Sequence, residues 1–195
     1  QHLASRRQVE RILRDGQVPV TVLRAGIIVG AGSASFEIIR DLTEKLPVMV
    51  APKWLRSRTQ PIAVRDALAY LAGVLDAPRA IGETFDIGGP EVLTYQTMLM
   101  RYAAVRGLRR WVLPVPILTP RLSSYWLYFV TSTSYPLARN LVDSMTVDVV
   151  ARDDRIRDIV PFEPLTYEEA VRLAFQKIEQ QTVVSSWTDA VVSSR

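Results

Sequence analysis

The 195-residue chain has no cysteine and a single histidine. The first absence excludes a disulfide scaffold, a thiolate zinc site and a thiol nucleophile. The second excludes a multi-histidine metal centre. Acid–base chemistry therefore falls to His2, carboxylates, hydroxyls or arginines. Lysine is scarce too: 21 of the 24 basic residues are arginine. Arginine forks suit phosphate and carboxylate. The positives are scattered among 20 acids rather than gathered in a stripe, so nucleic acid is not an expected partner. There is no long uncharged apolar run. The most apolar stretch, 111–130, contains Arg121 and three prolines, which falls short of an integral membrane segment. No signal-peptide pattern opens the chain, so a cytoplasmic location is expected. The apolar fraction of 48% is that of a folded domain. A chain of this length buries roughly 70% of its unfolded surface, enough for a core without staples.

Strand and helix signals alternate. Residues 4–14 pattern as a helix with Val9, Ile12 and Leu13 on one side and Gly16 as its stop. Val18–Leu23 is an apolar strand signal that Arg24-Ala25-Gly26 interrupts. A helix is expected from Ser35 to about Leu46, extended segments at 47–52 and 59–64, and a helix over 67–75 with Asp66 as its cap. A strand over 82–87 precedes a helix capped by Thr94 and ended by Gly107. Arg110–Pro116 reads as extended, 119–129 as aromatic-rich and 136–145 as helical. Thr166 and Glu169 stand at capping-box spacing before a helix over 167–179. Strands alternating with helices predict an α/β fold, with 18–24, 59–64 and 82–87 in one parallel sheet.

Two glycine or histidine motifs have alternative readings. Gly30-Ala31-Gly32 between strand and helix resembles a dinucleotide-binding turn. Ser35 replaces its third glycine, and Val50 stands near the place of the expected acid, so an ordinary strand-to-helix turn fits better. His2 and Arg6 lie one helical turn apart on one face. A fixed positive charge beside an imidazole favours its neutral form, so His2 could exchange a proton near neutral pH. The plain alternative is a solvated histidine.

The order of the segments adds to this. His2-Leu3-Ala4-Ser5-Arg6, a helix with Glu10, the strand Val20–Arg24, Gly26 and Gly30-Ala31-Gly32 together resemble the later part of an extended short-chain dehydrogenase/reductase, the superfamily of the nucleoside-diphosphate-sugar epimerases. Gln60–Asp66 resembles that family's His-Val-Asp-Asp segment. Gly82–Gly89 resembles its strand with the pattern Gly-x-x-Phe/Tyr-Asn-Leu/Ile-Gly. The resemblance covers 2–107 well and 108–180 loosely. It implies a Rossmann-type doubly wound parallel sheet in its C-terminal part, with interleaved substrate-lobe segments over 1–107, a mainly helical substrate lobe over 108–180 and a tail over 181–195.

The resemblance also implies roles. Arg6 takes the place of the lysine that bonds the nicotinamide ribose, and His2 that of the tyrosine general acid/base. The backbone of Ala25, Gly26 and Ile27 corresponds to the turn that meets the nicotinamide, with Ala25 in place of proline. Ser33, Ser35, Arg58, Arg121 and Tyr125 are candidates for the substrate side, since arginine with aromatics suits a phosphate-linked or planar ligand. The implied cofactor is NAD or NADP, the substrate a small molecule, and a homo-oligomer is compatible. The family's Gly-x-x-Gly-x-x-Gly pyrophosphate loop has no counterpart in the sequence. The chain thus reads as part of a longer oxidoreductase, inactive alone. The rival reading is a non-catalytic nucleotide-binding or assembly module on the same fold. A membrane-surface role for 117–130 is more remote.

Overall fold

The computed structural model describes residues 2–114 and 145–184. The aromatic-rich stretch 119–129, most of the helix read over 136–145 and the segment 117–130 lie outside these residues. In chain order the elements are α1 (His2–Arg14), β1 (Val22–Ala25), β2 (Ile28–Val29), α2 (Ala34–Lys45), β3 (Val48–Ala51), β4 (Arg58–Thr59), β5 (Ile62–Ala63), α3 (Val64–Leu75), β6 (Thr84–Ile87), β7 (Leu93–Thr94), α4 (Tyr95–Val105), β8 (Trp111–Pro114), α5 (Arg155–Ile159) and α6 (Tyr167–Glu179).

The strands form two-stranded ladders: β1 with β6, β2 with β5 and β3 with β8 in parallel, and β4 with β7 antiparallel. The first strand starts later than its apolar run suggests and takes in Arg24 and Ala25. The stretch 59–64 does not join β1. Pro61 lacks an N–H to give to a ladder, and the chain breaks there into β4, which pairs with β7, and β5, which pairs with β2. Among the described residues the single parallel sheet expected of 18–24, 59–64 and 82–87 is therefore replaced by separate ladders, parallel for β1–β6 and β2–β5 and antiparallel for β4–β7.

Local chemistry explains the helix ends. Thr166 accepts from the Glu169 N–H while the Glu169 carboxylate accepts from the Thr166 N–H, a complete capping box. Thr94 accepts from the Thr97 N–H at 3.1 Å. Gly107 follows α4 at φ +65°, a conformation only glycine takes without strain. Asp66 does not cap α3. It lies inside the first turn, fully buried, and accepts the Leu165 N–H at 2.7 Å.

Two apolar cores result. One gathers α2, α4 and α6 around Phe36, Tyr102 and Phe175, whose ring centroids lie 5.6–6.1 Å apart. Each such ring contributes on the order of 1.5–3 kcal/mol by burial. The other lies beneath α3, where Ala67, Tyr70 and Val74 cover Phe85, Ile87, Leu23 and Ala25 of the β1–β6 pair. Alternation then sends Arg24, Thr84 and Asp86 to the opposite face, where α1 lies.

Candidate functional site at the carboxyl ends of β1 and β6

Three contacts fix α1 along the β1–β6 pair. Near its end, Arg14 donates to the Gly82 carbonyl at 3.1 Å and to the Thr84 hydroxyl. One turn earlier Glu10 accepts from Arg24, through Nη2 at 2.8 and 2.9 Å and Nε at 3.2 Å. In the ladder Val22 stands opposite Thr84, and Arg24 opposite Asp86. Four helical residues (about 6 Å) therefore match two strand residues (about 6.6 Å). Continued at that spacing, position 6 would come toward the level of Gly26 and Gly88. Position 2 would come one turn beyond. In open α/β sheets ligands bind outside the carboxyl ends of the strands.

Arg6 is exposed on α1, and Gly26 is exposed after β1. A Cβ added to Gly26 would stand 3.1 Å from the Thr59 hydroxyl and 3.2 Å from a Val149 methyl. The turn Ala25–Ile27 is thus backed tightly by β4 and the 149 segment, and its open side carries no side chain at Gly26. Ile27 is buried, and its carbonyl accepts the Ile62 N–H at 2.9 Å. Glycine at 26 is explained by its packing on Thr59 and Val149. Behind it Tyr95 is buried, and burial pushes its phenol up to about 12.

The substrate-side candidates divide. Ser33 caps α2, accepting the Phe36 N–H at 3.2 Å and donating to the Ile28 carbonyl at 2.9 Å. Ser35 is half-buried in the first turn of that helix. Arg58 is paired with Asp148, its Nε 2.9 Å from Oδ2 and its N–H 2.7 Å from Oδ1. Those two donors, backbone first, hold the Asp148 carboxyl below the usual range. Arg121 and Tyr125 lie outside the described residues. Gly30-Ala31-Gly32 is a packing turn. A Cβ on Gly30 would come 2.6 Å from a Val64 methyl, and Gly32 has φ +80°.

Gln60 and Asp86 were not legible as site residues. The Gln60 amide donates to the Gly89 carbonyl at 2.7 Å and its oxygen accepts the Ala151 N–H at 3.1 Å. Its side chain lies against Gly88. Asp86 accepts the Arg152 N–H at 3.1 Å. Together with Tyr70, Asp153 and Arg157 they line a polar cavity of about 100 Å³. That volume suits water or a small polar group, since drug-sized ligands need about 300 Å³ or more. The signal that could have found them is weak: Asp86 stands where the resembling family carries asparagine. Among the described residues no three acidic or histidine side chains gather as a metal site, and no helix is long and apolar enough to cross a membrane.

No protein-family model matches the sequence, and no curated protein matches it. Solved structures do match. UDP-glucose 4-epimerase from Thermotoga maritima, solved with UDP-glucose, has a TM-score of 0.61 at 12% identity and covers 93% of this chain and 52% of its own. UDP-glucuronic acid 4-epimerase from Bacillus cereus, with UDP-glucuronic acid and NAD, gives 0.57 at 13% identity, covering 88% and 49%. The RMD protein from Pseudomonas aeruginosa, with NADPH, gives 0.54 at 12%, covering 82% and 47%. The chain spans about half the length of these structures. Its fold is the C-terminal part of the Rossmann-type fold of the NAD-dependent sugar epimerases.

Proposed function

We propose that the chain is the part of an epimerase-like NAD(P)-dependent oxidoreductase that supplies the nicotinamide-side turn, the acid–base helix and part of the substrate lobe. This reading is supported by the contacts of Arg14 and Glu10 with β6 and β1, from which the helix runs, through positions 6 and then 2, toward the carboxyl ends of those strands. Arg6 binds the ribose next to the nicotinamide, and the bare backbone at Gly26 accepts the ring. When bound, the nicotinamide supplies reversible hydride transfer to a carbon of the substrate. His2 holds or releases the proton of the substrate hydroxyl that is oxidised. A histidine exchanges protons nearer neutral pH than a tyrosine. The substrate is a small, nucleotide-linked molecule, as UDP-glucose and UDP-glucuronic acid are for the epimerases of like fold.

The 195 residues taken alone contain no Gly-x-x-Gly-x-x-Gly loop for a pyrophosphate. This supports a chain that binds cofactor weakly and does not turn over unaided. One observation favours the second reading, a nucleotide-binding module without catalysis: histidine and arginine stand where the resembling family carries tyrosine and lysine. The test is His2→Gln in the complete gene product, assayed with NAD(H), NADP(H) and a panel of nucleoside-diphosphate sugars. The catalytic reading expects kcat to fall by roughly 10²–10⁴-fold with cofactor affinity unchanged. Unchanged turnover by the variant contradicts it. Cofactor binding without turnover of any panel member supports the module.

A further inference from the structure

The polar cavity beside Gln60 and Asp86 holds charges that the fold leaves unused. Three carboxylates, those of Asp86, Asp153 and Asp154, and one guanidinium, that of Arg157, line it. Two of the carboxylates are engaged. Asp86 accepts the Arg152 N–H at 3.1 Å, and its charge acts on Arg24. Asp153 accepts the Arg155 N–H at 3.3 Å and pairs with the Arg155 guanidinium at 3.5 Å. Asp154 differs. Its carboxylate makes no hydrogen bond to the helix it precedes and, among the described residues, no ion pair. Arg157 makes no ion pair among them either, and its guanidinium stands beside the Tyr70 hydroxyl.

Residues 154 and 157 are close in the chain, and the Arg157 N–H donates to the Asp154 carbonyl at 2.8 Å. A carboxylate and a guanidinium three apart can pair with each other, as Glu37 and Arg40 do at 2.7 Å. Asp154 and Arg157 stay apart, and both border the same polar space. The walls around them are fixed. Tyr70 is buried and packs on Phe162, with ring centroids 4.6 Å apart. Gln60 is held by the Gly89 carbonyl and the Ala151 N–H. Asp154 and Arg157 are exposed, so a solute reaches them directly from solvent. The cavity measures about 100 Å³. That is room for roughly three waters at about 30 Å³ each, or for one small organic molecule. A lone ammonium leaves Arg157 without a partner, and a lone carboxylate leaves Asp154 without one. A molecule that carries both groups satisfies both residues.

We propose that this cavity binds a small zwitterion, an α-amino acid with little or no side chain. Its carboxylate lies on the Arg157 guanidinium and the Tyr70 hydroxyl, since a guanidinium fork matches a carboxylate. Its ammonium lies on Asp154, with Asp86 adding attraction. Bound there, the ligand ties α5 to the end of β6 and stabilises the fold by mass action. The inference goes beyond the proposed oxidoreductase function and does not depend on it.

Glycine is the probe, and methylammonium and acetate represent its two charged halves. Calorimetric titration of the full chain with each gives the affinities. Glycine is expected to bind saturably at one site, and each half to bind at least about tenfold more weakly, the least weight of one charged hydrogen bond. Arg157→Gln and Asp154→Asn are each expected to weaken glycine binding by about tenfold or more. Both positions are exposed, so neither substitution removes a buried contact, and circular dichroism confirms the fold. Arg79→Gln, at an exposed arginine that does not line the cavity, leaves the affinity unchanged. A rise in the thermal midpoint with glycine, lost in the two cavity variants, is the second readout. Titrations that do not saturate overturn the proposal. So does glycine binding that survives both cavity variants. Acetate or methylammonium binding as tightly as glycine overturns it too, since the cavity then takes a simple ion.

Discussion

Glu10 on α1 holds both the Nε and an Nη of Arg24 on β1, and this clamp sets the helix against the strand whose end forms the candidate site. The hydrogen bonds from Arg24 hold the Glu10 carboxyl below the usual carboxylate range. A carboxyl lowered by folding stabilises the fold above its unfolded value of about 4.3 and loses that contribution as pH falls through the folded value. Arg24 is 54% exposed, so solvent screens the pair and Glu10→Gln costs about 0.5–1 kcal/mol at neutral pH. Urea titrations of both proteins at pH 7 and at pH 3 check this. The gap is expected to narrow at the lower pH. An equal gap at both removes the linkage.

Asp66 is the buried carboxylate that joins α3 to the start of α6, accepting the Leu165 N–H at 2.7 Å and the Arg65 guanidinium at 2.7 and 2.9 Å. Asp66→Ala leaves a buried N–H without an acceptor and is expected to destabilise by about 2–4 kcal/mol. Asp66→Asn retains an acceptor oxygen and should cost less. Equilibrium unfolding of the two variants gives the order, and an equal loss in both contradicts the account.

These two pairs show what the sequence carried and what it did not. Helix α6 was legible to the residue because Thr166 and Glu169 are three apart and their reciprocal bonds are local. The helix read over 4–14 was legible from its local apolar pattern and begins two residues earlier, at His2, while the strand after it was misplaced and runs Val22–Ala25. Asp66 beside an apolar helix looked like a cap, because the residue that claims it, Leu165, lies 99 positions away. The split at Pro61 depends on β2 and β7, which are remote in sequence. Gln60, Asp86 and Asp148 acquire their partners only in the folded chain. Of the candidate site, the residue types and their spacing were legible. The alignment of α1 along β1 and β6 depends on contacts of Glu10 and Arg14 with residues remote in sequence.

A methyl group at position 89 would collide with the Pro61 backbone carbonyl, to which the Gly89 N–H also donates at 3.0 Å. Backbone cannot move aside as a flexible side chain can. Gly89→Ala is therefore expected to destabilise by about 1–3 kcal/mol, the range for overpacking. Gly107→Ala meets nothing within 4 Å but is held at φ +65°, so its cost comes from strain alone, on the order of 1 kcal/mol. Thermal unfolding of both variants tests the ranking, which reverses if the Pro61 contact relaxes freely.

The buried phenol of Tyr95, raised to about 12 by burial, makes a prediction at alkaline pH. A phenol that ionises later in the fold than in the unfolded chain stabilises the fold below about 10, its unfolded value, and that contribution is lost as pH rises through the folded value. Phenolate absorbance should show Tyr95 ionising well above the usual phenol value but before the more strongly raised Tyr102 and Tyr167, and Tyr95→Phe should remove that component. A Tyr95→Phe titration that loses an early component contradicts the burial.

The central claim is that α1 delivers Arg6 to a nicotinamide site beside Ala25–Ile27. Its most direct test is the dissociation constant of NADH and NADPH for the complete gene product, read by cofactor fluorescence, in Arg6→Ala and Arg7→Ala. Both positions are exposed and stand about 100° apart around the helix, with position 6 one turn before Glu10. The account predicts that Arg6→Ala weakens the better-bound cofactor by about 1.5–3 kcal/mol, the weight of a charged hydrogen bond, while Arg7→Ala leaves it unchanged. Equal affinities in the two variants, or no binding of either cofactor by the parent protein, would contradict it.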